Sequence, residues 1–335
     1  MKYISLLLFS ITVGLHSWAQ DIHFSQFYKS SLNLNPALTG SFVGDYRFNA
    51  NYRNQWASIS EPYRTFSASV EANHLIKSVP NLRIGLLIMN DEAGLGGLTN
   101  TQINTSFAYL KKLNSDSSLV GKAGVQFGFS SKRINFDRFT FDSQYNGRQF
   151  DQTLSNGENF DRNSLSYLNV NTGFGLEYFL EPKKLIEIGI SLFNLTNPNQ
   201  SFEKVSSGLD IRTNIYAKAD LDLKKKLDLL PAVLYSTQSA FKELLFGTDL
   251  RYHLEKRTLL ASSIYGGIWY RTSDAIILTA GLDYFQWNVG LSYDINTSQL
   301  QTASQRQGGL ELSLTYIFRN YKPTFRRYKV CPNFM

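Results

Sequence analysis

Cysteine and histidine are nearly absent from this chain of 335 residues, which has one Cys, at position 331, and four His. A lone cysteine forms no intramolecular disulfide, so the stapled scaffolds of small exported domains are excluded. With so few thiols and imidazoles there is no C-x-x-C or H-x-x-x-H spacing, and neither a metal nor a cofactor is expected. Charged residues are also scarce, at 18%, where an ordinary soluble domain has roughly 25%. Beyond the N-terminus no stretch approaches the roughly 18 consecutive apolar residues of a spanning helix, which excludes a polytopic helical membrane protein. Apolar residues are nevertheless spread along the whole chain, which excludes disorder. What is abundant is aromatic: 24 Phe, 19 Tyr and 4 Trp.

Met1-Lys2-Tyr3, the apolar run from Ile4 to Leu15 and then Ser17-Trp18-Ala19 have the form of an export signal. Cleavage before Gln20 is expected, which removes residues 1–19 and with them His16. The net charge of +7 suggests at first an acidic partner such as nucleic acid. Its distribution argues otherwise. Lys2 leaves with the signal, while Arg319, Lys322, Arg326, Arg327 and Lys329 sit in a tail over 319–335 that has no acid. The chain between is close to neutral, so no nucleic-acid partner is expected. The tail either keeps the chain end solvated or contacts a periplasmic partner or an anionic surface.

Period-two alternation dominates. Tyr46, Phe48, Ala50 and Tyr52 alternate with Arg47, Asn49, Asn51 and Arg53, and Trp287, Val289, Leu291 and Tyr293 alternate with Asn288, Gly290, Ser292 and Asp294. Such segments are strands with one apolar and one polar face. The pattern predicts strands over 46–53, 66–73, 83–90, 99–111, 119–130, 167–179 and 185–193. It continues with 211–221, 229–238, 244–253, 259–270, 275–284, 287–294 and 309–318. The expected fold class is all-β: a single transmembrane antiparallel β-barrel of about 14 strands over 46–318, with periplasmic termini. Odd-numbered connections are on the whole longer than even-numbered ones, as in outer-membrane barrels, although those near Ser239–Glu243 and Arg271–Asp274 are short. Tyr52, Tyr109, Tyr178, Tyr270, Tyr284, Tyr293, Tyr316 and Phe318 fall near strand ends, where amphipathic rings meet a membrane interface. The competing reading of these aromatics is a sandwich core.

No catalytic constellation stands out. His23, His74 and His253 lie away from the external strand ends, Cys331 has no evident base beside it, and no enzymatic activity is expected. Arg47, Arg53, Glu71, Lys122, Glu177, Arg212, Lys218, Asp220 and Glu311 face the expected lumen. They either form interior ion pairs or line a pore or plug. Residues 20–45 are too irregular for a strand, yet carry Phe24, Phe27, Tyr28, Leu32, Leu34 and Leu38, which must pack on something. This N-terminal segment is expected to lie at the periplasmic rim or in the lumen, as a plug or a docking element. Pro36 stiffens it and Gly40 allows a turn before the first strand.

Gln20-Asp21-Ile22-His23-Phe24-Ser25-Gln26-Phe27-Tyr28, then Leu34-Asn35-Pro36-Ala37-Leu38-Thr39-Gly40 and Tyr52-Arg53-Asn54-Gln55-Trp56 together resemble the start of the PorP/SprF family of Bacteroidota outer-membrane proteins. Tyr270-Arg271 with Asp274-Ala275, Gly290-Leu291-Ser292-Tyr293-Asp294 and Gly308-Gly309-Leu310-Glu311 extend the resemblance, as does the ending Cys331-Pro332 with Phe334. It implies an accessory of type IX secretion and gliding that acts by protein contact. It also implies a partner that is a secreted surface protein with a C-terminal sorting domain, besides other type IX components, among them a periplasmic protein linked to peptidoglycan. His23, Phe24, Ser25, Gln26, Asn35, Pro36, Gly40, Arg53 and Trp56 become candidates for docking or plugging. Arg271, Tyr293, Asp294, Gly309 and Glu311 are the motif positions at strand ends. An integral outer-membrane location and contact with outer-membrane lipid follow. The alternative is a passive channel for small solutes, and a soluble exported β protein is a third reading.

Overall fold

A computed structural model describes residues 22–56, 61–73, 75–76, 78–151, 153–157, 162–181, 184–202, 207–224, 226–255, 262–298 and 304–319. His74, the expected signal, Cys331 and the tail from Lys322 onward lie outside them. Fourteen strands follow in chain order. The first five are β1 (Tyr46–Gln55), β2 (Tyr63–Ala72), β3 (Leu82–Ala93), β4 (Leu98–Lys112) and β5 (Leu119–Arg133). Next come β6 (Ser164–Glu181), β7 (Lys184–Phe193), β8 (Arg212–Lys224), β9 (Leu227–Gln238) and β10 (Phe241–Glu255). The last four are β11 (Ser262–Arg271), β12 (Ala275–Tyr284), β13 (Trp287–Asn296) and β14 (Gln307–Phe318). Each strand pairs antiparallel with its chain neighbours, and β1 pairs with β14 from Tyr46↔Phe318 to Gln55↔Gly309, so the sheet closes into a barrel.

The alternation seen in the sequence sets the two faces. In β1, Asn49, Asn51 and Arg53 are buried, while Phe48 and Tyr52 are exposed. The same inversion holds in β13 and β14, where Ser292, Asp294, Glu311 and Ser313 are buried and Leu291, Tyr293, Leu310 and Leu312 are exposed. Polar inside and apolar outside is the arrangement of a wall that faces lipid. The strand pattern stands as expected, with ends displaced by a few residues. β2 begins at Tyr63 and β10 runs from Phe241 to Glu255, because polar residues on both faces near strand ends still join the ladder.

The connections after odd-numbered strands emerge at one end of the barrel and those after even-numbered strands at the other. At the odd-connection end, the β5–β6 and β7–β8 connections pack together: Phe136 lies edge-on to Phe202, and Arg162 Nε donates to the Ser201 carbonyl at 3.1 Å. Tyr46 and Phe318 both lie at the even-connection end.

Residues 22–40 run inside the barrel, and Val43 is exposed at its rim. They form short helical turns at Phe27–Lys29, Ser31–Leu34 and Pro36–Leu38, and Phe24, Leu32, Leu34, Ala37 and Leu38 are buried there. With Phe27, Leu34 and Leu38 as its part, this segment completes an interior cluster that includes Trp269, Leu245 and Tyr216 of the wall. The described chain starts at the odd-connection end, where the Ile22 carbonyl accepts from Arg212 Nη1 at 2.9 Å, at the first residue of β8. It then runs the height of the barrel before β1 begins at the opposite end.

Candidate functional site

Ser25 and Gln26 precede a helical turn, so their N–H groups have no partner within it. The Glu311 carboxylate supplies one: Oε2 accepts from Ser25 N at 2.7 Å and Oε1 from Gln26 N at 3.0 Å. Arg53 bridges two acids, reaching Asp294 Oδ2 at 2.8 Å and Glu311 Oε2 at 3.0 Å. Arg271 meets Asp294 at 3.1 Å and Asp274 at 2.9 Å. The Ser25 hydroxyl sits at the centre, donating to Asp294 (2.8 Å) and accepting from Arg271 Nη2 (2.7 Å) and from Arg53 Nη1. Arg53, Arg271, Asp294 and Glu311 are each almost fully buried. Buried charges persist only when paired and hydrogen-bonded, and here each has at least two partners. The Gln26 side chain donates to Ser292 Oγ (3.4 Å) and accepts from Ser313 Oγ (3.1 Å).

These residues come from four strands and the inner segment, and they meet because all lie near the odd-connection end of their strands. His23 lies beside them, 3.8 Å from Glu243. Loss of water holds its imidazole down at about 4; Glu243 pulls the other way and Arg271 and Arg53 reinforce the shift. It is therefore neutral at pH 7.

The segment is held at four further points. Asn35 Nδ2 donates to the carbonyls of Phe174 (2.9 Å) and Ile190 (3.2 Å), while its Oδ1 caps the next turn by accepting from Ala37 N at 2.8 Å. The close approach needs glycine in the wall, since a Cβ at Gly173 would strike Asn35 and one at Gly124 would strike Pro36 and Ala37. At the even-connection end Glu71 accepts from Gly40 N (2.8 Å), Ser31 Oγ (3.2 Å) and Arg47 Nη2 (2.7 Å). Gly40 has φ +67°, a left-handed backbone that suits glycine. Lys122 donates to Ser41 Oγ at 2.5 Å, meets Glu187 at 2.8 Å and also contacts Glu177. Tyr28 stacks on Trp269 with centroids 5.1 Å apart, and both donate to Asp249, at 2.7 and 3.0 Å.

The remaining candidates lie elsewhere. Trp56 has φ 57°, donates its N–H to Gly308 and packs edge-on against Tyr63 at the first connection. Tyr293 faces outward, 40% exposed, away from the cluster. Gly309 is buried in the β14 ladder opposite Gln55 and Asp294. Arg319 is exposed at the even-connection end. Sequence reasoning missed Glu243, Asp249 and Trp269 as partners of the segment. Strand parity was the available signal for Glu243, which shares its face with Asp249 and Arg251.

Inside the barrel a cavity of about 240 Å³ opens beside Tyr28, Lys29 and Trp269, and two of about 30 and 20 Å³ flank Ile22. At the even-connection end Ser263 Oγ lies 2.9 Å from His253 Nδ1, and His253 Nε2 lies 2.6 Å from Asp228, which Arg251 also holds at 2.7 Å. Among the described residues no group of three or more His, Cys, Asp or Glu has the geometry to hold a metal ion.

The profile of the family described as type IX secretion system membrane protein PorP/SprF matches residues 17–316. This chain belongs to that family. A PorP/SprF chain folded as a closed barrel with an apolar outer wall is an integral outer-membrane protein and a membrane component of type IX secretion. No curated protein matches its sequence. Among solved structures, the toluene transporter TbuX of Ralstonia pickettii is similar in fold, with TM-score 0.51 and 10% identity over 87% of this chain and 94% of that one. The toluene transporter TodX of Pseudomonas putida gives TM-score 0.51 and 10% identity over 86% and 93% of the two chains. At such identity the likeness concerns the barrel alone.

Proposed function

We propose that this PorP/SprF protein is a non-catalytic accessory of type IX secretion and gliding motility. It supports export or surface anchoring of a secreted adhesin-like protein with a C-terminal sorting domain, through protein contact. The observation that carries this reading is the use made of the family's motif residues: Ser25, Gln26, Arg53, Arg271, Asp294 and Glu311 hold the chain's own N-terminal segment inside the barrel. A barrel filled this way acts through its mouths and rims. In this reading residues 1–19 are removed as a signal, and the odd-connection end, with its packed β5–β6 and β7–β8 connections, faces outward and meets cargo. The even-connection end and the tail over 319–335 face the periplasm and meet other type IX components, including one linked to peptidoglycan. The rival reading, a passive solute channel, fits poorly with a lumen occupied from Ile22 to Gly40. The Ser263–His253–Asp228 chain is structural in this account, because Ser263 is buried in the ladder between His253 and Asp283 and lines none of the cavities above.

Deleting the gene and measuring surface display of proteins with a C-terminal sorting domain tests the proposal. Loss of at least one such protein from the surface, restored by the intact gene, is expected. Unchanged display together with unchanged spreading on a surface would refute it.

A further inference from the structure

The outer wall over β4–β9 is not level. A groove of about 870 Å³ crosses these six strands, which at a strand spacing of about 4.8 Å makes it about 24 Å across. Register explains it. Outward-facing Gly121, Ala123 and Ala217 stand opposite Leu176, Phe174 and Ile188 on neighbouring strands, so each large side chain borders a gap. Phe174 and Ile188 are 57% and 48% exposed and form the walls. The groove is almost wholly apolar except at its even-connection end, where exposed Lys111, one residue before the end of β4, marks the mouth.

We propose that this groove is a phospholipid site, with one acyl chain lying across the strands and the anionic headgroup phosphate on Lys111. The charge pattern selects this occupant. Of the two lysines that border the groove, Lys122 is buried and paired with Glu187 and Glu177, which leaves Lys111 as the exposed cation. One such cation at the end of a long apolar channel matches a phosphate joined to an alkyl chain, and a lysine at a membrane boundary reaches its ammonium toward the headgroups. A second barrel would instead cover a broad face of large side chains.

Native mass spectrometry of the full-length protein, purified in detergent and supplied with dioleoylphosphatidylglycerol, tests the site. The wild type is expected to retain one lipid that survives mild activation. Ala217→Phe and Ala123→Phe fill the groove and should lose it, while Leu278→Ala, on the far wall, should keep it. Lys111→Gln should weaken the preference for phosphatidylglycerol over uncharged dioleoylglycerol by about fivefold. Because the variants face outward, folding is checked by heat-modifiable migration, and Ala123→Phe serves if Ala217→Phe does not fold. Equal lipid retention by a folded groove-filling variant and the wild type would overturn the proposal. So would a second copy of the chain occupying this wall in place of lipid.

Discussion

Arg53 ties the inner segment to the wall, since it joins Asp294 and Glu311 and touches Ser25. Removing one partner of a buried ion pair leaves a stranded charge, at a cost of roughly 3–5 kcal/mol. Arg53→Ala should therefore loosen the segment while the strand ladder persists. Trypsin cleavage after Lys29 in the detergent-solubilised protein reads this: the wild type should resist and the variant be cut, with heat-modifiable migration retained in both. Resistance in the variant would show that Arg53 does not hold the segment.

His23 adds a pH dependence of known sign. Its folded value of about 4 lies below the ordinary 6.5, so the released segment binds a proton that the seated one does not. Seating is then unaffected above pH 6.5 and weakens as pH falls from 6.5 toward 4. The groups facing the ring are Glu243, Arg271, Arg53 and Asp274. Urea unfolding followed by the emission of Trp269, which stacks on Tyr28, should show a falling midpoint across that window. His23→Gln should flatten the part of the slope between pH 5 and 6.5, and an unaltered slope would contradict the assignment.

At the level of elements, the strands were legible and the path of the inner segment was not. Alternation such as Trp287-Asn288-Val289-Gly290-Leu291-Ser292 states both the strand and its two faces, because a wall between lipid and a polar interior enforces period two locally. Residues 22–45 have no such local rule. Their partners lie far along the chain, with 286 positions separating Ser25 from Glu311. The sequence announced only that the apolar residues of the segment had to pack somewhere and that Ser25, Arg53, Arg271, Asp294 and Glu311 recur in motifs. It did not announce that those motifs form one cluster. The β-wall carries a matching signal in Gly124 and Gly173, readable only once the segment is known to press on them. Gly173→Val should displace Asn35 from the Phe174 and Ile190 carbonyls, and two-dimensional NMR of selectively labelled Asn side chains would detect its loss of protection. An unchanged Asn35 signal would mean the wall can give way there.

At the scale of the whole molecule, a lipid-facing barrel encloses a lumen filled by its own N-terminal segment, which leaves the mouths and the outer wall as the surfaces open to contact. Leu32, Ala37, Trp269 and Leu245 are packed to near-zero exposure across the interior of this barrel. On the proposed reading, a lumen filled in this way leaves no path for solute. The decisive measurement is single-channel conductance of the intact purified protein in planar bilayers, compared with a variant lacking residues 22–40. No steady conductance is expected from the intact barrel, and large open events from the deletion variant. Steady, solute-selective pores formed by the intact protein would contradict a filled lumen.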